Sequence, residues 1–414
     1  MNILIVSNFY PPYKIGGYEL LCQEVVESLM GRGNIVTILT STFGLKGGEI
    51  DNNIHRLLAL ESNIDYYRIK DAWTYPIKLR KNIAHLRNVI SSYKPEVVFI
   101  WGMWSLSKRI AEEAERIMGS RVVYYLANPW PIQPNMHVAY WESMANRTIG
   151  RMIKPLVRAP MRLILKEEWR PYQLRFEHAP CCSKALREQL LAANVPLHDA
   201  PVIYEGINLD SYIRHRRGNT HARYPLSLLY VGILAPHKGV HTAIEAIARL
   251  SPQARRHVKL TILGTGHPQY ETVLHNMVRE SKLEDLIVFK HPIPRADLPE
   301  YLSSHDVLLL PSIWEEPLAL IMQEGLASGL VVVGSMTGGT KEIIVDGENG
   351  ILFPPENASM LAEKIETLIN QPLLRDRIAK NGMITAEEKF NIHRMVHDLE
   401  EYLKRVVDEA SLPK

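Results

Sequence analysis

The densest chemistry in the sequence lies in Leu309-Leu-Pro311-Ser312-Ile-Trp-Glu315-Glu316-Pro317-Leu-Ala-Leu-Ile-Met-Gln-Glu324-Gly325. A short apolar run, read as a strand, passes into a loop ending in two carboxylates, and a helical pattern with Glu324 inside it follows. Pro317 is expected in the first helical turn, where a missing N–H costs nothing. A carboxylate beside a strand end is costly unless donors meet it. With Glu316 near the helix start, the two carboxylates stand up to ~12 Å apart along the axis at 1.5 Å per residue. That is the span from a hexose to a ribose across a diphosphate, whose hydroxyls would supply the donors.

Small residues and one cation flank this stretch. Tyr230-Val-Gly232-Ile-Leu-Ala-Pro-His237-Lys238-Gly239 sets a glycine at a strand end and a Lys–Gly pair before a helix, so Lys238 is either a phosphate contact or a solvated lysine. Leu263-Gly264-Thr-Gly266 and Val333-Gly334-Ser-Met-Thr-Gly338-Gly339 are two more glycine turns after strands. Near the N-terminus, Gly16 and Gly17 open a helix whose first N–H groups are expected to lie bare to an anion, with a plain turn as the alternative. The spacing is not the GxGxxG fingerprint, which counts against a dehydrogenase. Cys22, Cys181 and Cys182 form neither a disulfide framework nor a zinc spacing and are expected as buried small apolar residues.

The elements that must position these residues alternate along the chain. Residues 2–7 read as a strand, 17–31 as a helix and 34–40 as the next strand, with further strands at 96–101, 121–126 and 201–204. After a polar, basic segment at 213–223, read as a linker, a second alternation begins with strands at 227–231, 258–263, 286–289, 306–310 and 331–334. The pattern is that of two doubly wound α/β domains, with ligands at the carboxyl ends of the strands. The length of 414 residues suits two cores at ~150 residues per domain. A 46% hydrophobic and 22% charged composition excludes a disordered or collagenous chain. The net charge of +3 gives no global reason to expect nucleic acid. Without a signal-peptide pattern or an 18-residue apolar run, the expected location is cytoplasmic.

One segment stands apart. Arg147, Arg151, Lys154, Arg158, Arg162, Lys166 and Arg170 recur at intervals of three or four, interleaved with Leu156, Val157, Met161, Leu163 and Ile164. A cationic and apolar helix face of this kind suits an anionic lipid surface, and a solvated helix face is the alternative. Pro155 and Pro160 are expected to interrupt it.

Over essentially its full length the chain resembles the retaining glycosyltransferases of the GT-B fold, family four. The likeness rests on the Gly16-Gly17 loop, Gly232 with Lys238-Gly239, Leu263-Gly264-Thr-Gly266, Pro311-Ser312 with the Glu316-to-Glu324 motif, and Gly338-Gly339-Thr-Lys-Glu342 followed by Asp346-Gly347-Glu-Asn-Gly350. It implies two Rossmann-like domains facing each other across a cleft. These would be an acceptor-side domain at 1–212, completed by a crossover helix at 390–410, and a donor domain at 224–389. By the same resemblance Glu316 is the catalytic-site residue that holds the donor sugar, Lys238 binds the diphosphate, and Glu324 binds the ribose. Backbone amides of Leu318, Ala319 and Leu320 touch the leaving group, His291, Pro292 and Ile293 face the nucleobase, and Gly16, Gly17 and Gly232 border the donor. The sequence departs from the family at Ile233, where an arginine is usual, so the diphosphate would lean on Lys238, helix termini and His237. It departs again at Ala127-Asn128, where His-Asp is usual, which makes Asn128 and Trp130 candidates for sugar or acceptor contact. The implied activity is retaining transfer of a hexose from a nucleotide-sugar, such as UDP-glucose, to an acceptor hydroxyl in polysaccharide or glycolipid assembly, with no metal required. Base, sugar and acceptor stay open in the sequence itself. The alternatives are a nucleotide-sugar-binding protein of degraded activity and a phosphorylase-like enzyme of sugar 1-phosphates.

Overall fold

The computed structural model describes the chain except residues 14–15, 65, 145–147, 217–224 and 412–414, and residues 148–153 without their side chains. Its contacts divide it into two compact units, Met1–Cys182 with Leu186–Ile203 and Val396–Lys414, and Tyr204–Met395 with Ser183–Ala185.

In the first unit, strands β1 (Asn2–Ser7), β2 (Ile35–Ser41), β3 (Glu49–Asp51), β4 (Ile54–Leu58), β5 (Val97–Gly102) and β6 (Val122–Tyr124) form one sheet in the order β3-β4-β2-β1-β5-β6. All pairs are parallel except β3 with β4. Ile3, Leu4, Ile5 and Val6 are wholly buried, as the central strand of a sheet covered on both faces requires. Helix α1 (Gly17–Gly31) completes the first βαβ unit. The β3–β4 hairpin was invisible in the apolar pattern because every β3 residue is exposed, and it turns at Asn52-Asn53 with Asn52 left-handed (φ 49°). Residues 201–204 are not a strand: Val202 makes a single bridge to Cys181. All three cysteines are buried.

Helices α2 (Ile69–Tyr93), α3 (Arg109–Met118), α4 (Met136–Glu142), α5 (Thr148–Ile164) and α6 (Lys166–Trp169) belong to this unit. Contrary to expectation, α5 runs unbroken through Pro155 and Pro160. Both prolines are exposed, so water can meet the carbonyl groups that they leave without an N–H partner. The short α6 is fastened from several directions. Glu168, 3% exposed, accepts hydrogen bonds from Tyr75, Ser107, Asn135 and Tyr172 at 2.5–3.1 Å. Arg109 of α3 donates to the Glu167 carbonyl at 3.0 Å. Among the described residues, no helix is long and apolar enough to cross a membrane.

In the second unit, β7 (Leu226–Val231), β8 (Val258–Leu263), β9 (Ile287–Lys290), β10 (Val307–Leu310), β11 (Val331–Ser335) and β12 (Ile351–Phe353) form an all-parallel sheet in the order β12-β11-β10-β7-β8-β9. The order reverses between β7 and β10. In such sheets the loops leaving two strands at the reversal point diverge to opposite faces and open a crevice at their carboxyl ends. The segments carrying Lys238 and Glu316 are these two loops. The expected linker begins in a described turn at 214–216, and its remainder, 217–223, lies outside the described residues. The last helix spans Ile392–Ser411.

Candidate functional site

The loop after β7 and the loop after β10 are stitched together by the backbone. Ile313 N–H donates to the His237 carbonyl at 2.9 Å. Gly239 is left-handed (φ 67°), and a Cβ there would fall 1.9 Å from the Pro311 carbonyl oxygen, so only glycine permits the approach. The seam delivers Lys238 to Glu316, with Nζ 2.5 Å from Oε1, while Ser312 Oγ donates to Oε2 at 2.9 Å. Trp314 lies beneath the lysine, 5.6 Å from ammonium to ring centre.

The third loop of the site follows β11. Gly338 N–H donates to Glu315 Oε2 at 2.6 Å and Gly339 N–H to the Glu316 carbonyl at 2.8 Å. Gly338 has φ 46° and a Cβ there would come within 1.9 Å of that same carbonyl oxygen. The two glycines therefore act as a clasp on the acidic loop. This clasp also corrects the expected helix start. The helix begins at Leu320 and ends at Ala327, so Pro317 lies in irregular chain before it. Glu316 is outside the helix, and the axial separation reckoned from 1.5 Å per residue does not apply to it.

Glu324 is inside that helix and wholly buried, where the Arg295 guanidinium ion-pairs with it. Arg295 comes from the turn after β9 and has no signature in the local sequence. Leu318 and Ala319 are buried, and the helix start at Leu320 carries no side-chain cap; Met322 N–H donates to the Ala319 carbonyl at 3.0 Å, which leaves the N–H groups of Leu320 and Ile321 for an incoming acceptor. His291 and Pro292 are exposed beyond β9 and Ile293 is half-buried. Gly232 directly follows β7, and the next residue, Ile233, is 60% exposed. Burial and the neighbouring Lys238 charge hold the His237 imidazole below its ordinary pKa. The lowered pKa disfavours a charged imidazole as a second cation beside Lys238.

Sequence reasoning also missed Glu205. It is 3% exposed, and burial together with the charge on Glu316 pushes its carboxyl up to about 8, so it is protonated at neutral pH. Unfolded, it would titrate near 4.3. Between those values the unfolded chain holds fewer protons than the folded one, so stability falls as pH rises and the loss is complete above about pH 8. Glu205→Gln keeps the shape without the titration. Its urea midpoint is expected to exceed that of the wild type by a margin that widens between about pH 5 and about pH 8.5. A margin independent of pH would show that Glu205 does not titrate in this range.

The first unit holds the remaining candidates. Gly16 is the N-cap of α1, but its N–H is not bare: it donates to Glu19 Oε2 at 2.7 Å, and Gly17 opens the helix behind it. Asn128 is half-buried and accepts from Trp130 N–H at 3.1 Å. Trp130 is 4% exposed and packs against Tyr124 and Phe176, which also contact each other, so its ring is part of the core. In the basic segment, Arg158 and Arg162 share Glu142, and Lys154 donates to Ser143. Lys166 is exposed. Arg147 lies outside the described residues, as does the side chain of Arg151.

The chain is similar in sequence and fold to known proteins. Residues 213–384 match the family model "Glycosyl transferases group 1". An uncharacterized glycosyltransferase of Methanocaldococcus jannaschii is 25% identical over 94% of this chain and 95% of its own. A glycogen synthase of Mycobacterium tuberculosis is 25% identical over 92% of this chain and 89% of its own. The crystal structure of Anabaena HepE with UDP superposes with a TM-score of 0.70 at 17% identity, covering 98% of this chain and all of that one. The same protein is also known with UDP-glucose.

Proposed function

We propose that the chain, whose residues 213–384 match the group 1 glycosyltransferases and whose fold is GT-B, moves a hexose from a nucleotide-sugar to an acceptor hydroxyl with retention at the anomeric carbon. The observation that carries this reading is the Lys238–Glu316–Ser312 cluster at the point where the strand order of the second sheet reverses. A cation for a diphosphate and a carboxylate for sugar hydroxyls stand side by side there. The second unit is the donor side, with Glu324 for the ribose, Leu318 to Leu320 for the leaving group and His291 to Ile293 for the base. The first unit is the acceptor side.

In the proposed reaction the bond from C1 to the diphosphate oxygen breaks as the acceptor oxygen attacks the same face, and the departing diphosphate takes the acceptor proton. The protein's part is to stabilise the charge gathering on the diphosphate. Lys238 supplies this by leaving Glu316 for the phosphates, and the uncapped helix start at Leu320 adds N–H groups. Glu316, released from the lysine, accepts from the sugar. The HepE complexes support UDP as the nucleotide and glucose as the sugar to test first, and the glycogen synthase relative supports a saccharide acceptor. The cationic face of α5 supports an acceptor carried at an anionic membrane surface.

Calorimetry across a panel of nucleotide-sugars, then mass and NMR analysis of products on saccharide and lipid-linked acceptors, tests the reading. Transfer with retention is the expected result. Donor hydrolysis without transfer would favour a binding protein of degraded activity, to which the exposed Ile233 at the arginine position points. Release of sugar 1-phosphate with free phosphate would favour the phosphorylase.

A further inference from the structure

Helix α2 leaves an apolar stripe uncovered. Ile69, Trp73 and Ile77 recur every four residues and are 50%, 59% and 59% exposed. Its opposite edge, Ala72, Tyr75 and Leu79, packs in a cluster with Met161 and Leu165 from α5 and the residue after it. Beside this seam opens a cleft of about 860 Å³. Its apolar floor is formed by Leu79 and Ile83 of α2 with Ile164 and Leu165 across from them. On a helix, residues three and four apart share a face. The stripe residues Trp73 and Ile77 therefore adjoin Pro76 and Arg80 on the α2 bank of the cleft. On the other bank Leu156, Pro160 and Leu163 are exposed, the two leucines at 77% each, and they adjoin Ile164.

The charges at the cleft are not alike. Arg109 pairs with Glu112, Arg116 with Glu113, Arg170 with Glu112 and Glu167, and Arg175 with Glu115 and Glu177. Arg80 on the α2 bank and Lys166 on the α6 bank are exposed and have no ion-pair partner among the described residues. Lys70 and Lys81 on α2 add exposed positive charge, and the nearby Glu142 is already shared by Arg158 and Arg162. Solvent-exposed tryptophan and leucine beside unpaired cations are unfavourable toward water and favourable toward one surface, the boundary between anionic headgroups and acyl chains.

We propose that the α2–α5 face of the first unit docks on an anionic lipid bilayer, with the Ile69-Trp73-Ile77 and Leu156-Pro160-Leu163 stripes entering the acyl boundary and Arg80 and Lys166 meeting headgroup phosphates at the mouth of the cleft. The inference rests on the membrane-surface reading above and adds to it an insertion face on α2, which the α5 charges alone do not contain. It also gives the apolar half of the contact to side chains whose removal leaves the core untouched.

The test is co-sedimentation of the full chain with phosphatidylcholine vesicles, with and without phosphatidylglycerol. Binding is expected only with the anionic lipid, and Trp73→Ala with Ile77→Ser should weaken it on the order of tenfold, as should Arg80→Glu with Lys166→Glu. Brominated lipids should quench the wild type more than Trp73→Phe. An unchanged circular-dichroism spectrum and unfolding midpoint in each variant certify folding of the unit that carries the substitutions. If the Trp73 and Ile77 variant pellets like the wild type while Arg158→Glu with Arg162→Glu releases it, the membrane reading stands and this inference falls. No pelleting at low salt overturns both. A dimer in sedimentation velocity that Trp73→Ala dissolves would assign the face to a second copy of the chain instead.

Discussion

Lys238→Ala is expected to weaken nucleoside diphosphate binding by roughly 10- to 150-fold, the equivalent of the ~1.5–3 kcal/mol of a charged hydrogen bond. Two structural facts concentrate the effect on this residue. Ile233 brings no charge to the loop after β7, and burial and Lys238 itself push the His237 pKa below its ordinary value. The lysine is also pre-positioned, because the Gly239 turn and the Ile313 to His237 hydrogen bond fix its loop against the one carrying Glu316. Part of the gross attraction is spent in separating Lys238 from Glu316, so the measured loss should sit inside this range and not above it. Ile233→Arg, at a position open to solvent, should fold normally and restore some affinity in the Lys238→Ala background. Titration calorimetry with UDP reads both. An affinity indifferent to Lys238→Ala would remove the lysine from the site.

What the sequence disclosed and what it hid follow from how far each signal extends along the chain. The buried parallel strands were legible because each is a continuous apolar run, as in Ile3 to Val6 and Val331 to Val333. The placement of Lys238 and Glu316 in loops after strands, and of Glu324 in the helix that follows, was legible because each lies close to an apolar strand pattern. The clasp that moves the helix start from Pro317 to Leu320 was hidden, since it depends on Gly338 and Gly339 approaching from a loop that the local pattern cannot place. Arg295 and Glu205 were hidden for the same reason: each acts on a carboxylate distant in sequence. Trp130 shows the converse: its burial against Tyr124 and Phe176 leaves no mark in the local sequence.

Glu316→Ala and Glu324→Ala are expected to part company. Removing Glu316 should cut transfer by on the order of 100-fold with UDP affinity unchanged or slightly raised, since the sugar contact is lost while Lys238 is freed for the phosphates. Removing Glu324 should instead weaken UDP itself, because a ribose contact persists in the product nucleotide. The Arg295 pairing sharpens the comparison. Glu324 is wholly buried with a cation already on it, so the substitution also removes this ion pair and should lower the unfolding midpoint, whereas Arg295 at 42% side-chain exposure can turn to water and limit that cost. Glu324→Gln, which keeps the volume and a hydroxyl partner, separates the two effects: it should recover most of the midpoint and only part of the UDP affinity. If Glu316 were no more than a staple between Lys238 and Ser312, its removal would lower stability and leave transfer per folded molecule intact. Equal loss of UDP affinity in the Glu316 and Glu324 variants would overturn the division of labour between the two carboxylates.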